Sequence, residues 1–490
     1  RPVAGRAIRA VARPGAGPIL VRLPSLDAVA PMDAAEAFRD APGLALLESA
    51  RPGRTGRWSF LTADPVAVLD APSEGPDPFA EARALLTRLD GGAVTAGDAP
   101  PFSGGLTGYL GYDLGRRFES MPTIARVDQH LPVMRLALHD WAIAWDRRRG
   151  QAWLGVRAVD GDRAAAERRL AWVRDRVGRF LAGLLPDPSP VPRTAQPLEH
   201  PTPTAFISAT PHNRWVEQIE VVRAAIGRGE IYQANLTRRL AAPFAGDPWT
   251  LFRRLRTGDP ALFAAYLDLG ASPATGAPRA LLSASPEPFL SVAADGNVSA
   301  DPIKGTRPRG RSAAEDRARR RELVASRKDQ AENVMIVDVL RNDLGRVCEP
   351  GSVRVPRLLR PERTAAVQHL VTTVTGHLRP EHDAFDLLAA SFPGGSITGA
   401  PKIRAMEIVE GLEPVRRGPY CGSMLWLGAD GRMGSSILIR TFVADGERLT
   451  IHVGGGITYR SDANGEWDET VAKARGPLSS IGAREVEVER

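Results

Sequence analysis

From residue 205 onward, helical stretches (about 212–228, 311–326, 329–343, 401–411 and 464–475) are interspersed with strand-like runs (about 281–284, 288–293, 369–377, 420–428, 434–443 and 448–454). The order follows neither a simple repeat nor a regular strand–helix–strand alternation. Parallel strands need a crossover connection, usually a helix, between them. A chain without that alternation is expected to build antiparallel sheets with helices set apart, an α+β architecture. Upstream, short apolar runs (PILVRLP, ALLES, VAVLD) separated by Gly/Pro turns read as mostly β. A helix with apolar residues near helical spacing is expected at about 162–184. The stretch LPDPSPVPRTAQPLEHPTPT, 185–204, is rich in proline and nearly free of core residues. The chain therefore divides into an N-terminal region, 15–184, a Pro-rich linker, 185–204, and a second region, 205–480.

Composition narrows the function classes. At 43% apolar and 25% charged, the 490 residues suit a globular protein with a sizeable core. No run of 18 uncharged apolar residues exists, so no membrane span is expected. The opening RPVAGRAIRAVARPG lacks an apolar h-region, and a cytoplasmic location is expected. The two cysteines, Cys348 and Cys421, make no disulfide framework and no C-x-x-C metal spacing. The net charge is +7, but the richest basic run, RARRREL at 317–323, is interspersed with acids and reads as an exposed helix face. No nucleic-acid-binding motif accompanies it, and no nucleic-acid partner is expected. A modest basic surplus equally suits a small dianionic substrate.

Several clusters carry chemistry. In NGEWDETVAKA, Glu466, Glu469 and Lys473 share one helix face, with Asn464 as the expected N-cap. Alone, that spacing also describes an exposed Glu–Lys pair. The preceding strand runs into Gly454, Gly455 and Gly456, where backbone can approach a ligand closely. Two carboxylates beside such a loop suit a hard cation. Glu332 opens an otherwise apolar helix, either as a further carboxylate of the same kind or as a helix-end residue. Lys304, in DPIKGT, sits between an apolar turn and a glycine, on what reads as a tight loop after a strand. A lysine nucleophile must be tuned from its usual pKa of about 10.4 by burial or positive neighbours. Glu287 lies between two prolines, as an exposed turn residue or a held acid. Arg440 ends the apolar run SSILIRTF, with Leu438 and Arg440 expected on one strand face and Ile437 and Ile439 on the other. It requires an anionic partner, either an internal acid or a substrate carboxylate. GGSITGAPK places Ser396 and Thr398 before a helix N-terminus, an anion-binding setting. His369, in VQHLVTTV, reads alone as a core histidine.

Taken together, SASPEPF, GEIYQANLTRRL, KDQAENVMIVDVLRNDLGRV, SFPGGSITGAPKIRAMEIVEGLEP, RGPYCGSMLWLG, SSILIRTF, HVGGGITYRSDANGEWDETVAKA and the PIKGT loop resemble the chorismate-utilising enzymes. The resemblance covers about 205–480 closely, as a chorismate-binding catalytic domain. A looser likeness to the anthranilate-synthase component I N-terminal region covers about 15–150. It implies an anthranilate-synthase-like fold, with two facing sheets, helices outside and the N-terminal region contributing to both. It also implies Mg²⁺ held by the residues matching Glu332 and Glu469, with Glu466 close by. The cation would bridge to the C1 carboxylate of chorismate. Arg440, Lys473 and the amides of the glycine loops would anchor substrate, and His369 would line the ring cleft.

Within the family, the match to Lys304 attacks C2 of chorismate and the match to Glu287 is the general acid that protonates the departing C4 hydroxyl. Pro288 stands where relatives often carry Arg. Relatives that add water have a lysine base at the position of Gln233, and anthranilate synthases usually have alanine at that of Lys304. The pair Gln233 and Lys304 therefore points to the branch that combines chorismate with ammonia to give 4-amino-4-deoxychorismate, for p-aminobenzoate and folate synthesis. An anthranilate-forming enzyme and a non-catalytic basic binding protein on the same fold are the alternatives. Neither cysteine lies in a G-x-C-x-G loop, so a separate glutamine amidotransferase subunit is the expected ammonia source. Glu48, Ser49 and Ser59, in LALLES and GRWS, match a tryptophan pocket of anthranilate synthases and are read here as structural first.

Overall fold

Successive side chains of a strand face opposite ways, so a strand apolar at every position must be covered on both sides. The interior runs Ala280–Leu281–Leu282 of the strand Pro278–Ser285 and Phe442–Val443–Ala444 of the strand Thr441–Asp445 are apolar in this way. Leu281 and Val443 enter one buried cluster with Tyr109 and Met424, while Leu282, Phe442 and Ala444 enter another with Phe252 and Leu478. This alternation defines the layers of the protein. The computed structural model describes residues 17–51, 56–92, 99–184, 203–363 and 367–486. The expected linker lies almost wholly outside them, as does the opening of the N-terminal stretch.

Among the described residues the first sheet has 13 strands. Five come from the N-terminal region, in the order Ile19–Arg22, Gln151–Val156, Trp141–Asp146, Trp58–Thr62, Ala45–Glu48. Phe263–Ala271, Pro278–Ser285, Thr441–Asp445, Arg448–Ile457 and Gln233–Pro243 continue it, all antiparallel. The second sheet has 10 strands and runs from Ile303–Pro308 and Val367–His377 through Met433–Ile437 and Ser423–Gly428 to Gly105–Leu110 and Met134–His139. The sheets face each other through the cluster of Ala45, Leu267, Leu281 and Val443 with Tyr109 and Met424. Phe60, Phe102 and Trp426 extend that contact. Helices cover the outer faces, as Trp249 and Phe252 do for the first sheet and Phe385 and Leu388 for the second. The α+β expectation holds, and the N-terminal region supplies strands to both sheets.

Where the chain passes between sheets it makes corners. Pro278–Ser285 belongs to the first sheet and Pro288–Val292 to the second, so Pro286 and Glu287 form one corner. The expected single strand at 434–443 is instead two, Met433–Ile437 in the second sheet and Thr441–Asp445 in the first. The turn is tight, with the Ile439 amide donating to the Ile437 carbonyl at 3.0 Å, and Arg440 takes a left-handed φ of 50°. Arg440 thus does not end a strand face shared with Leu438. Each strand pairs inside its own sheet, and the apolar run between them spans the corner. The two corners are bonded to one another through Ile437 N–H to Glu287 O, 3.1 Å, and Ala284 N–H to Arg440 O, 3.0 Å.

The expected helices appear as Arg163–Leu181, His212–Gly227, Ala313–Ala325, Arg327–Gly345, Lys402–Leu412 and Ala463–Ser480. The last is capped by Asp462, whose carboxylate accepts from the Gly465 amide at 2.7 Å. Asn464 lies inside the helix and bonds His212 instead. Beneath this helix the fully buried Arg238 is held by Glu485, by the Thr470 hydroxyl and by the Trp467 ring, 4.1 Å from its centre. A buried guanidinium is tolerated only with its donors matched, and here that matching ties the helix to the first sheet.

Candidate active site

The chemistry-bearing side chains gather where the corners, the edge of the second sheet and two helix starts meet. Lys304 lies on the edge strand Ile303–Pro308, not on a loop, and the register slips between Lys304 and Thr306. Gly305 permits the slip with φ +77° and touches the helix Arg327–Gly345, where any Cβ would come within 2.9 Å of Asp329. From this bulged strand the positive charge of Lys304 stabilises the ionised forms of Glu287, Glu332 and Glu469.

Glu287 is the acid that the site tunes. Burial lifts its pKa above the ordinary 4.5, against the opposing pull of Lys304, a Ser396 hydroxyl hydrogen bond, Lys473 and the Ile303 amide. The loop carrying Ser396, a short turn Gly395–Ile397, packs its glycines between Phe289 and Ile437 on one side and Val339 on the other. Thr398 is fully buried and donates to the Gly394 carbonyl at 3.0 Å, so it shapes this loop rather than presenting its hydroxyl.

Three further carboxylates come from two helix starts. Glu332 is raised by burial and by Asp329 and Glu466, and lowered by Lys304 and Lys328. Its buried Oε1 has no hydrogen-bond partner. Glu466 is raised by burial, held by the Ser461 hydroxyl at 2.6 Å, and further raised by Glu469. Glu469 is lowered: burial pushes it up, but the bond to Lys473 at 2.7 Å, with Lys328 and Lys304, outweighs that. Lys473 also donates to the Gly454 carbonyl at 2.7 Å. A Cβ on Gly455 would lie 3.0 Å from Glu466 Oε2 and 3.9 Å from Glu469 Oε1, so the glycine backbone underlies both carboxylates. Gly456 is pressed against the buried amide of Gln233, whose Oε1 has no hydrogen-bond partner. Opposite, the His369 Nδ1 and the Thr306 hydroxyl share a 2.9 Å hydrogen bond. Burial and the nearby Arg440 bring the His369 pKa down to about 4. Arg440 is half-exposed, and its nearest acid, Asp259, stands 3.9 Å away, too far for a hydrogen bond.

Among the described residues no three His, Cys, Asp or Glu side chains form a protein-only metal cage. A magnesium ion needs only one or two carboxylates besides its ligand's oxygens and waters. The Glu332 oxygen, which makes no hydrogen bond and lies in the field of Glu466, fits that donor set. The Glu48, Ser49 and Ser59 group lies apart. The Arg256 guanidinium binds both Glu48 oxygens, and Ser49 donates its amide to Ser59 at 3.1 Å. Beside them is a cavity of about 250 Å³ lined by Trp58, Phe60, Met424 and Trp426. Sequence reasoning missed Ser461, Asp259 and Lys328. Of these only Lys328 left a trace, four residues before Glu332.

A family model described as chorismate binding enzyme matches residues 45–479. Aminodeoxychorismate synthase component 1 of Klebsiella aerogenes is 42% identical over 381 residues, 78% of each chain. Anthranilate synthase component 1 of Streptomyces coelicolor is 37% identical, over 89% of this chain and 83% of the relative. The crystal structure of anthranilate synthase component I from Streptococcus pneumoniae superposes with a TM-score of 0.71 at 29% identity, covering 87% of this chain and 93% of that one. No described helix is long and apolar enough to cross a membrane. With the match running through both regions and both sheets, this chain belongs to the chorismate-binding enzyme family.

Proposed function

We propose that the chain is the chorismate-aminating component of an aminodeoxychorismate synthase, joining chorismate and ammonia into 4-amino-4-deoxychorismate. The observation that carries this reading is that the charge of Lys304, on its bulged edge strand, acts on Glu287, Glu332 and Glu469 together, with Glu287 biased toward its protonated form by burial. In the first step the Lys304 ammonium gives a proton to a neighbouring carboxylate and the amine forms a bond to C2. Both ring double bonds shift, the C4–O bond breaks, and Glu287 gives its proton so that the hydroxyl leaves as water. Ammonia then bonds to C4, both double bonds shift back, and the C2–N bond to Lys304 breaks; the surplus proton on the new amine returns Glu287 to its acid form, and the neighbouring carboxyl reprotonates Lys304. Ser396 orients the Glu287 carboxyl through its hydroxyl. Gln233, an amide without a usable base, offers no way to activate water. Arg440, the Lys473 ammonium and the amides around Gly454–Gly456 would hold the substrate's carboxylates.

Glu332 and Glu469, with Glu466 close by, would hold Mg²⁺, which when bound neutralises the substrate's C1 carboxylate. A separate glutamine amidotransferase subunit would supply ammonia, in keeping with relatives named component 1. Incubating the chain with chorismate, Mg²⁺ and ammonium and identifying the product tests the reading: 4-amino-4-deoxychorismate is expected. Anthranilate as the main product would assign the chain to the sister branch, and no turnover would leave only a binding protein.

A further inference from the structure

Lys328 sits where local helix physics disfavours it. It is the second residue of the helix Arg327–Gly345, and a cation in the first turn opposes the helix dipole. It also precedes its i,i+4 partner Glu332, the less favourable order for such a pair. What holds it is tertiary. Its ammonium lies 3.9 Å from Glu332 and 3.8 Å from Glu466, the latter on the helix Ala463–Ser480, and its charge also reaches Glu469. Both distances exceed hydrogen-bond length, so neither carboxylate fixes it. The two carboxylate side chains are 14% and 6% exposed, whereas Lys328 itself is 54% exposed. The other two lysines of the cluster are differently placed. Lys473 is hydrogen-bonded to Glu469 and the Gly454 carbonyl, and Lys304 lies on the edge strand Ile303–Pro308, where its charge acts on Glu287.

We infer that Lys328 is a tethered counter-ion that occupies the space between Glu332 and Glu466 until a divalent cation enters, and that it swings into solvent on binding. It balances carboxylates that would otherwise repel across two helices, and so keeps the empty site assembled. The same charge raises the free energy of admitting the ion, so cation binding is coupled to its departure. The inference rests on the proposed metal reading of these carboxylates.

The test measures cation binding directly, without turnover. Titration calorimetry of Mg²⁺ into the full chain, without chorismate, should show Lys328→Gln binding roughly tenfold tighter than wild type, a 1.4 kcal/mol difference. Lys328→Arg should remain near the wild-type affinity. In parallel, the thermal midpoint of metal-free Lys328→Gln should fall below that of the wild type, and Mg²⁺ should restore it. An unchanged or weaker Mg²⁺ affinity in Lys328→Gln, with a folded protein by circular dichroism, would overturn the inference. Absence of Mg²⁺ binding in both proteins would overturn it too. Whether the wild type forms 4-amino-4-deoxychorismate is read separately, so the functional reading can stand while this one falls.

Discussion

Replacing Ser396 by alanine gives a sharp test of how Glu287 is tuned. The Glu287 carboxyl is lifted by burial and drawn back toward ionisation by Lys304, Lys473, the Ser396 hydroxyl and the Ile303 amide. Ser396→Ala removes one hydrogen bond that favours the ionised form. Hydrogen bonds to charged groups contribute about 1.5–3 kcal/mol when no water replaces them. Glu287 keeps some solvent contact at the corner, so the lower end of that range is taken. About 1.4 kcal/mol corresponds to one pKa unit. The sign follows from which form loses its partner: the ionised carboxylate does, so the pKa rises further. A general acid acts while protonated, and the rate falls as pH climbs through its pKa. The alkaline descent of kcat/KM governed by Glu287 should therefore move up by about one unit, leaving the plateau below it unchanged. The assay is formation of 4-amino-4-deoxychorismate across pH at a constant concentration of free NH₃, with Ser396→Thr as a control that keeps the hydroxyl. A descent that stays in place, or moves down, refutes the claim that Ser396 biases this carboxyl.

Three further outcomes are expected. With chorismate and Mg²⁺ but no ammonia, the intact mass of the chain should rise by chorismate less water, with the adduct mapping to Lys304 and absent in Lys304→Ala; an adduct on another lysine would contradict the proposed nucleophile. Glu332→Gln and Glu469→Gln should each abolish Mg²⁺-dependent turnover while circular dichroism stays native, so near-normal rates at ordinary Mg²⁺ in either would remove the metal assignment. Away from the chemistry, Glu413 accepts from Arg417 and from the Thr237 amide and hydroxyl in a buried hub. Glu413→Ala strands the Arg417 guanidinium and should cost about 3–5 kcal/mol in urea unfolding, whereas a loss under about 1 kcal/mol would show that water satisfies the site.

Much of the site was legible because it is written in short-range spacing. Glu466, Glu469 and Lys473 stand three and four apart, and the helix does place Glu469 and Lys473 in contact. Gly455 lies under both carboxylates as a residue without a Cβ must. Six helices were legible, Arg163–Leu181 from its apolar periodicity, whereas Pro78–Leu86, Pro248–Gly258 and Ala384–Ser391 were not. The corner at Arg440 was not legible. A strand-like run from 434 to 443, with its apolar stretch at Ile437–Ile439, describes one strand as well as two halves in different sheets. The N-cap was also misassigned, because Asp462 and Asn464 are both capping residues and only the path of the chain out of Tyr459 and Arg460 chooses between them.

By itself, the sequence determined the α+β class, six of the described helices, and the residue types that the chemistry requires. Only the tertiary structure decided that Glu287 and Arg440 occupy bonded corners between the two sheets, that Lys304 rides a bulged edge strand, and that Lys328 spans carboxylates on two helices. The reason is range. Periodicity and capping depend on neighbours within a turn or two, whereas a raised carboxyl, an unpartnered buried oxygen and a displaced ammonium arise from groups far apart in the chain. Such groups meet only once both sheets have closed on each other and excluded water between them.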